Sequence, residues 1–518
     1  MPEYLSPGVY IEEFEIGAKP MEGVSTSTAG FLGETERGPT TPCLITSWLQ
    51  YQRVFGGYFG NDKYLPGSVD GFFKNGGQRC YIARIVKSGE KPATTASLNL
   101  KVEDKSALTI EAVGEGEWGN RIAVQLSKGT FSGFRLDIFY WKVKPATLYN
   151  PYKETKNQPR PAVTETFDNV SINEASPDYF EKTVNDISNL IKISIQEGDS
   201  ADLLEALEAP LELEYLADGS DGEGALVLSD YERSDPADDK PGKRKALAAF
   251  KGIDDISIVY APNAYAVPGL VGALISHCEN LRYRFAVLDA EQASSDVSGL
   301  DPRSDNPTDY AAFYYPWIKV INPESGMLQL MPPGGYVAGI YARSDTERGV
   351  YKAPANEVVL GASDLEFQIM KGEQDVLNPR GVNVIRAFPG RGIRVWGART
   401  LSSNALWKYI NVRRLFIYIE ASIERGTQWV VFEPNDERLW ARVKATINQF
   451  LTGIWRGGAL MGTTPDEAFF IKCDRSTMTQ DDIDNGRLIC IIGVAPVKPA
   501  EFVIFRIAQW QGGSAATE

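Results

Sequence analysis

The chain has 518 residues, too many for one hydrophobic core, so two to four domains are expected. Its 43% apolar content suits packed globular domains, and its net charge of −15 argues against nucleic acid as the main partner, because phosphate binding needs a basic footprint. No run of about 18 apolar residues points to a membrane span. The five cysteines, Cys43, Cys80, Cys278, Cys473 and Cys490, form no CxxC pair and fit reduced thiols in a cytosol.

In chain order, "SPGVYIEEF" (6 to 14) reads as a short strand entered through a Pro-Gly turn. The small, polar stretch "EIGAKPMEGVSTSTAG" after it reads as a tether over about 15 to 30. A strand on such a lead must find a sheet edge elsewhere. Residues 24 to 90 mix short strands and helices, "CYIARIV" among them as a buried strand, and "KSGEKPATTAS" shifts toward linker composition. From 91 to 225, alternating segments such as "ALTIEAV", "RIAVQLS" and "FRLDIFYW" predict an inserted β-rich domain with an acidic, helical end. "DISIVYAPN", "VPGLVGALISHCENL" and "RFAVLDA" then follow in β-α-β order, which predicts an α/β core. The last third carries a long helix near 436 to 452 and closes on "EFVIFRIAQW", read as a final strand. Charge is uneven. Residues 196 to 240 hold 15 acidic and 2 basic residues, and 391 to 460 hold 11 basic and 5 acidic ones, which suggests two faces with different roles.

Signals for catalysis are poor. His277 is the sole histidine, and Cys278 beside it on a helix diverges by about 100°, so a packed polar position is expected rather than a dyad. "GEGEWG" (114 to 119) fits the letters of a dinucleotide loop, but Glu115 and Glu117 would face a pyrophosphate and a strand follows, so a turn is expected. "DGSDG" (218 to 222) lacks the glutamate a calcium loop needs, since Ser229 stands there. No catalytic, cofactor-binding or metal-binding residue is assigned. The helix "DERLWARVKATINQFLTGIWR" is more informative. Leu439, Val443, Ile447, Phe450 and Ile454 form one apolar stripe, and Arg438, Arg442, Gln449 and Arg456 gather roughly opposite, as a solvated face or a basic ridge for an acidic partner.

"YLSPGVYIEEF", "GFLGETERGP", "FFKNGGQRCYIARIV", "PPGGYVAGIYARSDTERGVYKAPANE", "RGIRVWGART", "QWVVFEPND" and "IGVAPVKPAEFVIFRIAQ" resemble contractile tail sheath proteins, those of phage tails and of phage-like injection systems. The resemblance covers both ends and most of the middle and is weakest over 91 to 225. It implies a mixed α/β, multi-domain subunit: an N-terminal arm (1–23), a first core part (24–90), an inserted outer domain (91–225), a second core part (226–350) and a C-terminal inner domain (351–518). In such sheaths terminal strands are exchanged between subunits. Here that implies Val9, Tyr10, Ile11 and Phe14 in the arm and Phe502, Ile504, Phe505 and Ile507 at the C-terminus. About six ladder bonds at about 1 kcal/mol each would give on the order of 6 kcal/mol per link.

The same resemblance implies stacked six-membered rings of this chain around an inner tube, with baseplate and terminator or cap proteins as further partners. It implies no nucleic acid, no direct membrane insertion and no cofactor. Arg438, Arg442 and Arg456, with Lys444 flanking, are then expected to face the tube. Synthesis in a bacterial cytoplasm and incorporation into a phage tail or tail-like particle follow. The alternatives are an α/β enzyme such as a nucleotide hydrolase, which needs a phosphate loop not found in the sequence, and a different structural particle protein.

Overall fold

The structure, a computed structural model, describes residues 21–102, 105–153, 158–195, 209–233 and 240–506. Two compact units emerge. The larger comprises Val24–Val350 and Pro354–Ala421, and the smaller comprises Tyr351–Ala353 and the residues from Ser422 onward, with a short piece before Val24.

The larger unit is built on an eight-stranded sheet. Its strands are β1 (Ala29–Gly33), β2 (Cys43–Ile45), β3 (Cys80–Arg84), β4 (Ile258–Tyr260), β5 (Phe285–Asp289), β6 (Ala311–Tyr315), β7 (Val382–Phe388) and β8 (Gly392–Val395). They lie in the order β8-β7-β6-β5-β4-β1-β3-β2, with six central strands parallel and β2 and β8 antiparallel at the edges. "AGFLG", "FAVLD" and "AAFYY" are buried throughout and almost wholly apolar, Asp289 excepted, because both faces of the sheet are covered. Phe31, Tyr260, Val287 and Tyr314 point to one face, where helices α1 (Leu65–Lys74) and, later in the chain, α3 (Gly334–Glu347) cover them. Leu32, Val259, Leu288 and Phe313 point to the other, against α2 (Leu270–Leu281). The expected α/β core is therefore present.

The α1–α3 contact explains the glycines of "PPGGYVAGIYA". A β-carbon on Gly335 would sit 2.5 Å from the Ser68 carbonyl oxygen, and one on Gly339 would sit 2.4 Å from that of Phe72. Only hydrogen at those positions lets the helix backbones approach so closely.

Residues 97–215 build two further sheets. One joins Ser97–Val102, Lys105–Ala112 and Ile191–Ile195, and the other joins Glu214–Tyr215, Ile122–Lys128, Phe134–Tyr140 and Val163–Val170. They share a core of Leu108, Ile110, Trp118, Val124, Leu136 and Ile138. The stretch read as a linker is instead a braced neck. Thr94 bridges to Ser220 and Ser97 to Ala217, so the ingoing and outgoing chains pair. Below them the fully buried Asp230 accepts from the Ser88 N–H at 2.6 Å and from the Val227 N–H at 2.8 Å, and meets the Lys87 ammonium at 3.3 Å. Burial opposes ionisation of Asp230, yet these hydrogen bonds hold its pKa below the ordinary value.

The expected tether is also shorter than its composition suggested. Thr28 is buried, the Thr26 hydroxyl donates to Asp345 at 2.7 Å, and β1 starts at Ala29. The small, polar residues from Thr26 onward are therefore packed rather than loose.

In the smaller unit, helix α4 (Ile410–Gly426) brings the chain in across the division at Ser422. Helix α5 (Glu437–Arg456) follows and packs on a two-stranded antiparallel hairpin, β9 (Phe469–Lys472) and β10 (Ile491–Val494).

Candidate assembly surfaces

Helix α5 begins where the Asp436 carboxylate caps the Leu439 N–H at 2.9 Å, and the Trp440 indole donates to Asn435 at 2.8 Å. Leu439, Val443, Ile447 and Phe450 are buried as the stripe demanded, and Trp440 and Leu451 join them, while Ile454 is half-buried. Arg438, Arg442, Gln449 and Arg456 are exposed on the other side. Arg442 is engaged within its own unit: its guanidinium lies 4.5 Å over the Trp429 ring and 3.7 Å from the Glu433 carboxylate. Among the described residues Arg438 and Arg456 form no ion pair. Lys444 sits elsewhere, about 120° around the helix from Arg438, and its charge acts on Cys473, Asp474 and Cys490. The ridge is thus three arginines, with the lysine facing the hairpin.

Much of the positive excess over 391 to 460 never reaches the surface. Arg399, Arg413 and Arg414 are buried in the larger unit. Arg414 makes a two-pronged pair with Asp345, at 2.9 and 2.6 Å, and donates to the Thr26 carbonyl at 2.8 Å. Arg413 meets Asp309 at 3.4 Å and lies between the rings of Tyr310 and Trp407, 4.3 and 4.6 Å from their centres. Charge counting missed these because the partners lie far away in sequence.

Phe502, Val503, Ile504 and Phe505 are each at least two-thirds exposed, without regular secondary structure. None of the four has a backbone hydrogen-bond partner among the described residues. The strand expected from "EFVIFRIAQW" therefore has no ladder over 502–505 among the described residues. Val9, Tyr10, Ile11, Phe14 and Ile507 lie outside the described residues. The β9–β10 hairpin is a two-stranded sheet among the described residues, and there each strand keeps one open edge.

The groups that could have suggested catalysis are structural. His277 Nε2 accepts from the Arg284 guanidinium at 2.7 Å, and burial followed by the Arg284 charge pushes its pKa down to about 3. Burial pushes the Cys278 thiol up to about 12. "GEGEWG" is a turn: the Glu115 carbonyl accepts from Arg84 at 2.6 Å, and its carboxylate takes Lys245 at 2.6 Å and Thr40 at 3.1 Å. A cleft of about 1320 Å³ opens beyond the C-terminal ends of β1 and β3, where an α/β enzyme would hold a ligand. Its charges are largely matched, with Lys63 on Glu34 at 2.6 Å and Lys142 on Glu324 at 2.7 Å. Among the described residues no His/Cys/Asp/Glu cluster could hold a metal ion, and no helix is long and apolar enough to cross a membrane.

Residues 239–401 match the family model for the phage tail sheath protein central domain, and residues 402–509 match that for the phage tail sheath C-terminal domain. Together the two span just over half of the chain. The chain is 28% identical over 177 residues to the tail sheath protein of Vibrio phage KVP40, across 33% of this chain and 26% of that protein. It is 27% identical over 168 residues to the tail sheath protein of Burkholderia phage BcepMu, across 30% and 34%. The chain thus spans only about a quarter to a third of these relatives.

The fold resembles solved structures over nearly its whole length. The sheath of the PVC extracellular contractile injection system in its contracted state aligns with a TM-score of 0.58 at 23% identity, covering 98% of this chain and 99% of that one. The helical sheath of the anti-feeding prophage in its contracted state gives 0.56 at 23% identity, with 97% and 99% covered.

Proposed function

The chain belongs to the phage tail sheath family, and we propose that it is a structural subunit that polymerises into a contractile sheath. In this reading copies stack as six-membered rings around an inner tube, between a baseplate and a terminator, within a phage tail or tail-like particle assembled in a bacterial cytoplasm. The observation that carries the reading is the apolar segment at Phe502–Phe505, exposed and without a backbone partner among the described residues. Such a segment is suited to complete a neighbour's sheet, with "GVYIEEF" of another copy as its counterpart.

The magnitudes fit a polymer better than a pair. A ladder of about six bonds contributes on the order of 6 kcal/mol, and two apolar side chains per face add about 2 kcal/mol each. Association costs about 4–15 kcal/mol, which offsets a large part of that, so one link is modest, and many in a lattice hold together. Contraction draws its work from the difference in interface free energy between two arrangements of the rigid units, with the exchanged strands keeping neighbours in order. No nucleotide is needed for that. The arginine ridge of α5 is the surface for the tube, because exposed ion pairs contribute about 0–1 kcal/mol each and break readily.

Ile504→Pro tests this. Proline removes a ladder donor, and residue 504 is exposed here, so the subunit itself should keep its unfolding midpoint. Co-expressed with its tube protein, the unsubstituted chain should give hollow cylinders in negative stain and the variant should give none. Normal cylinders from the variant would refute the strand-exchange reading.

A further inference from the structure

Two cysteines far apart in sequence meet in the C-terminal hairpin. The register runs from Phe469↔Val494 to Lys472↔Ile491, so the next opposed pair is Cys473 and Cys490. The Ala495 N–H donates to the Ala468 carbonyl at 2.8 Å, which sets the phase of the ladder. Counting in alternate pairs from there, Cys473 and Cys490 occupy a pair that does not exchange backbone hydrogen bonds. At such pairs the α-carbons come closest, about 4.5 Å apart, within the range of about 4.4–6.8 Å that a disulfide spans. Both thiols are free, and the Cys490 S–H donates a hydrogen bond to Cys473 Sγ. Cys473 is buried and Cys490 is half-buried, so the pair lies at the margin of the packed interior. The Lys444 ammonium on α5 acts on both sulfurs and favours their thiolates, while Asp474 opposes this at Cys473.

We propose that Cys473 and Cys490 form a dithiol that closes to an intramolecular disulfide when the protein meets a small-molecule disulfide such as oxidised glutathione. The Cys490 thiolate attacks one sulfur of the oxidant, forming a mixed disulfide and releasing one glutathione thiolate. The Cys473 thiolate then attacks Cys490 Sγ, forms the new S–S bond and expels the second glutathione. The two thiol protons end on the two glutathiones, so the protein is oxidised by two electrons and the oxidant reduced by two. Burial raises both thiols above their ordinary pKa, Cys490 to about 12, which slows their attack, and in a reducing compartment the glutathione and thioredoxin pools keep the pair open. Closure ties the hairpin strands together just ahead of the exposed terminal segment. The base from which Phe502–Phe505 extend is then covalently fixed.

The test uses the purified full-length chain, equilibrated with excess oxidised glutathione, alkylated, and mapped by peptide mass. Expected are an intact mass lower by about 2 Da before alkylation, as two hydrogens leave for one S–S bond, and a single cross-linked peptide joining Cys473 to Cys490. Thermal unfolding of the oxidised chain should shift upward and return on reduction, whereas a Cys473→Ser/Cys490→Ser chain should show no shift. Lys444→Met should slow closure several-fold with the same end point, and an unchanged rate would overturn the lysine's part. Recovery of both cysteines as alkylated thiols, or of Cys490 as a stable glutathione adduct beside a free Cys473, would overturn the proposal.

Discussion

Replacing Arg414 by Met should destabilise the larger unit severely. The guanidinium and the Asp345 carboxylate are 3% and 4% exposed, and their two hydrogen bonds, the donation to Thr26 and the contact 4.7 Å over the Tyr341 ring all vanish together. What remains is a buried carboxylate with only the Thr26 hydroxyl shown to donate to it. Breaking a buried pair from one side costs about 3–5 kcal/mol. For a unit of roughly 400 residues, unfolding entropy of about 2.1 cal/mol/K per residue turns that into a drop of about 5 °C in Tm.

The double variant Arg414→Met/Asp345→Leu removes both charges and should recover most of the loss, because the penalty lies in the orphaned carboxylate. Urea and thermal unfolding followed by circular dichroism give both numbers. Limited proteolysis should report new cleavage near Thr26 in the single variant. A single-variant loss below about 1 kcal/mol, or a double variant no better than the single, would refute the reasoning.

Reversing Arg438, Arg442 and Arg456 to Glu should leave the unfolding midpoint nearly unchanged, since all three are exposed, while abolishing assembly on the tube in a co-assembly assay. Normal extended particles would remove the ridge from the tube surface. Asp289 is fully buried, and burial raises its pKa to about 7 against the hydrogen bonds from Tyr260 and Gly334. Folded above unfolded means stabilisation that is complete below about pH 4 and lost as pH rises through about 7. Asp289→Asn should therefore gain on the unsubstituted chain by up to about 4 kcal/mol between pH 4 and pH 8 in urea midpoints. A constant difference across that window would contradict it. His277 acts with the opposite sign: its lowered pKa gives stabilisation that fades as pH falls from about 6.5 toward about 3. Asp289→Asn should thus unmask a steeper acid sensitivity.

The parallel core was legible because strands covered on both faces are mostly apolar on both, as in "CYIARIV" and "RFAVLDA", whose few charged residues are Arg84, Arg284 and Asp289. The α5 stripe was legible because an exposed helix sorts its faces at 100° per residue. Partnership at long range was not. Arg413 and Arg414 looked like surface charge until Asp309 and Asp345 were seen beside them, and "KSGEKPATTAS" looked like a linker until Asp230 was found gripping it. The Cys473–Cys490 contact depends on hairpin register, which spacing alone does not encode. "EFVIFRIAQW" has the alternation of a strand, but over 502–505 the chain supplies no ladder for it among the described residues. That discrepancy is what points outward to a neighbour.

The most direct measurement is a cryo-electron microscopy map of the assembled polymer at side-chain resolution, traced through residues 9–14 and 502–507. The account predicts continuous main-chain hydrogen bonding between these segments of different copies, with Ile504 and its neighbours covered. Density placing both segments against sheets of their own subunit would contradict it.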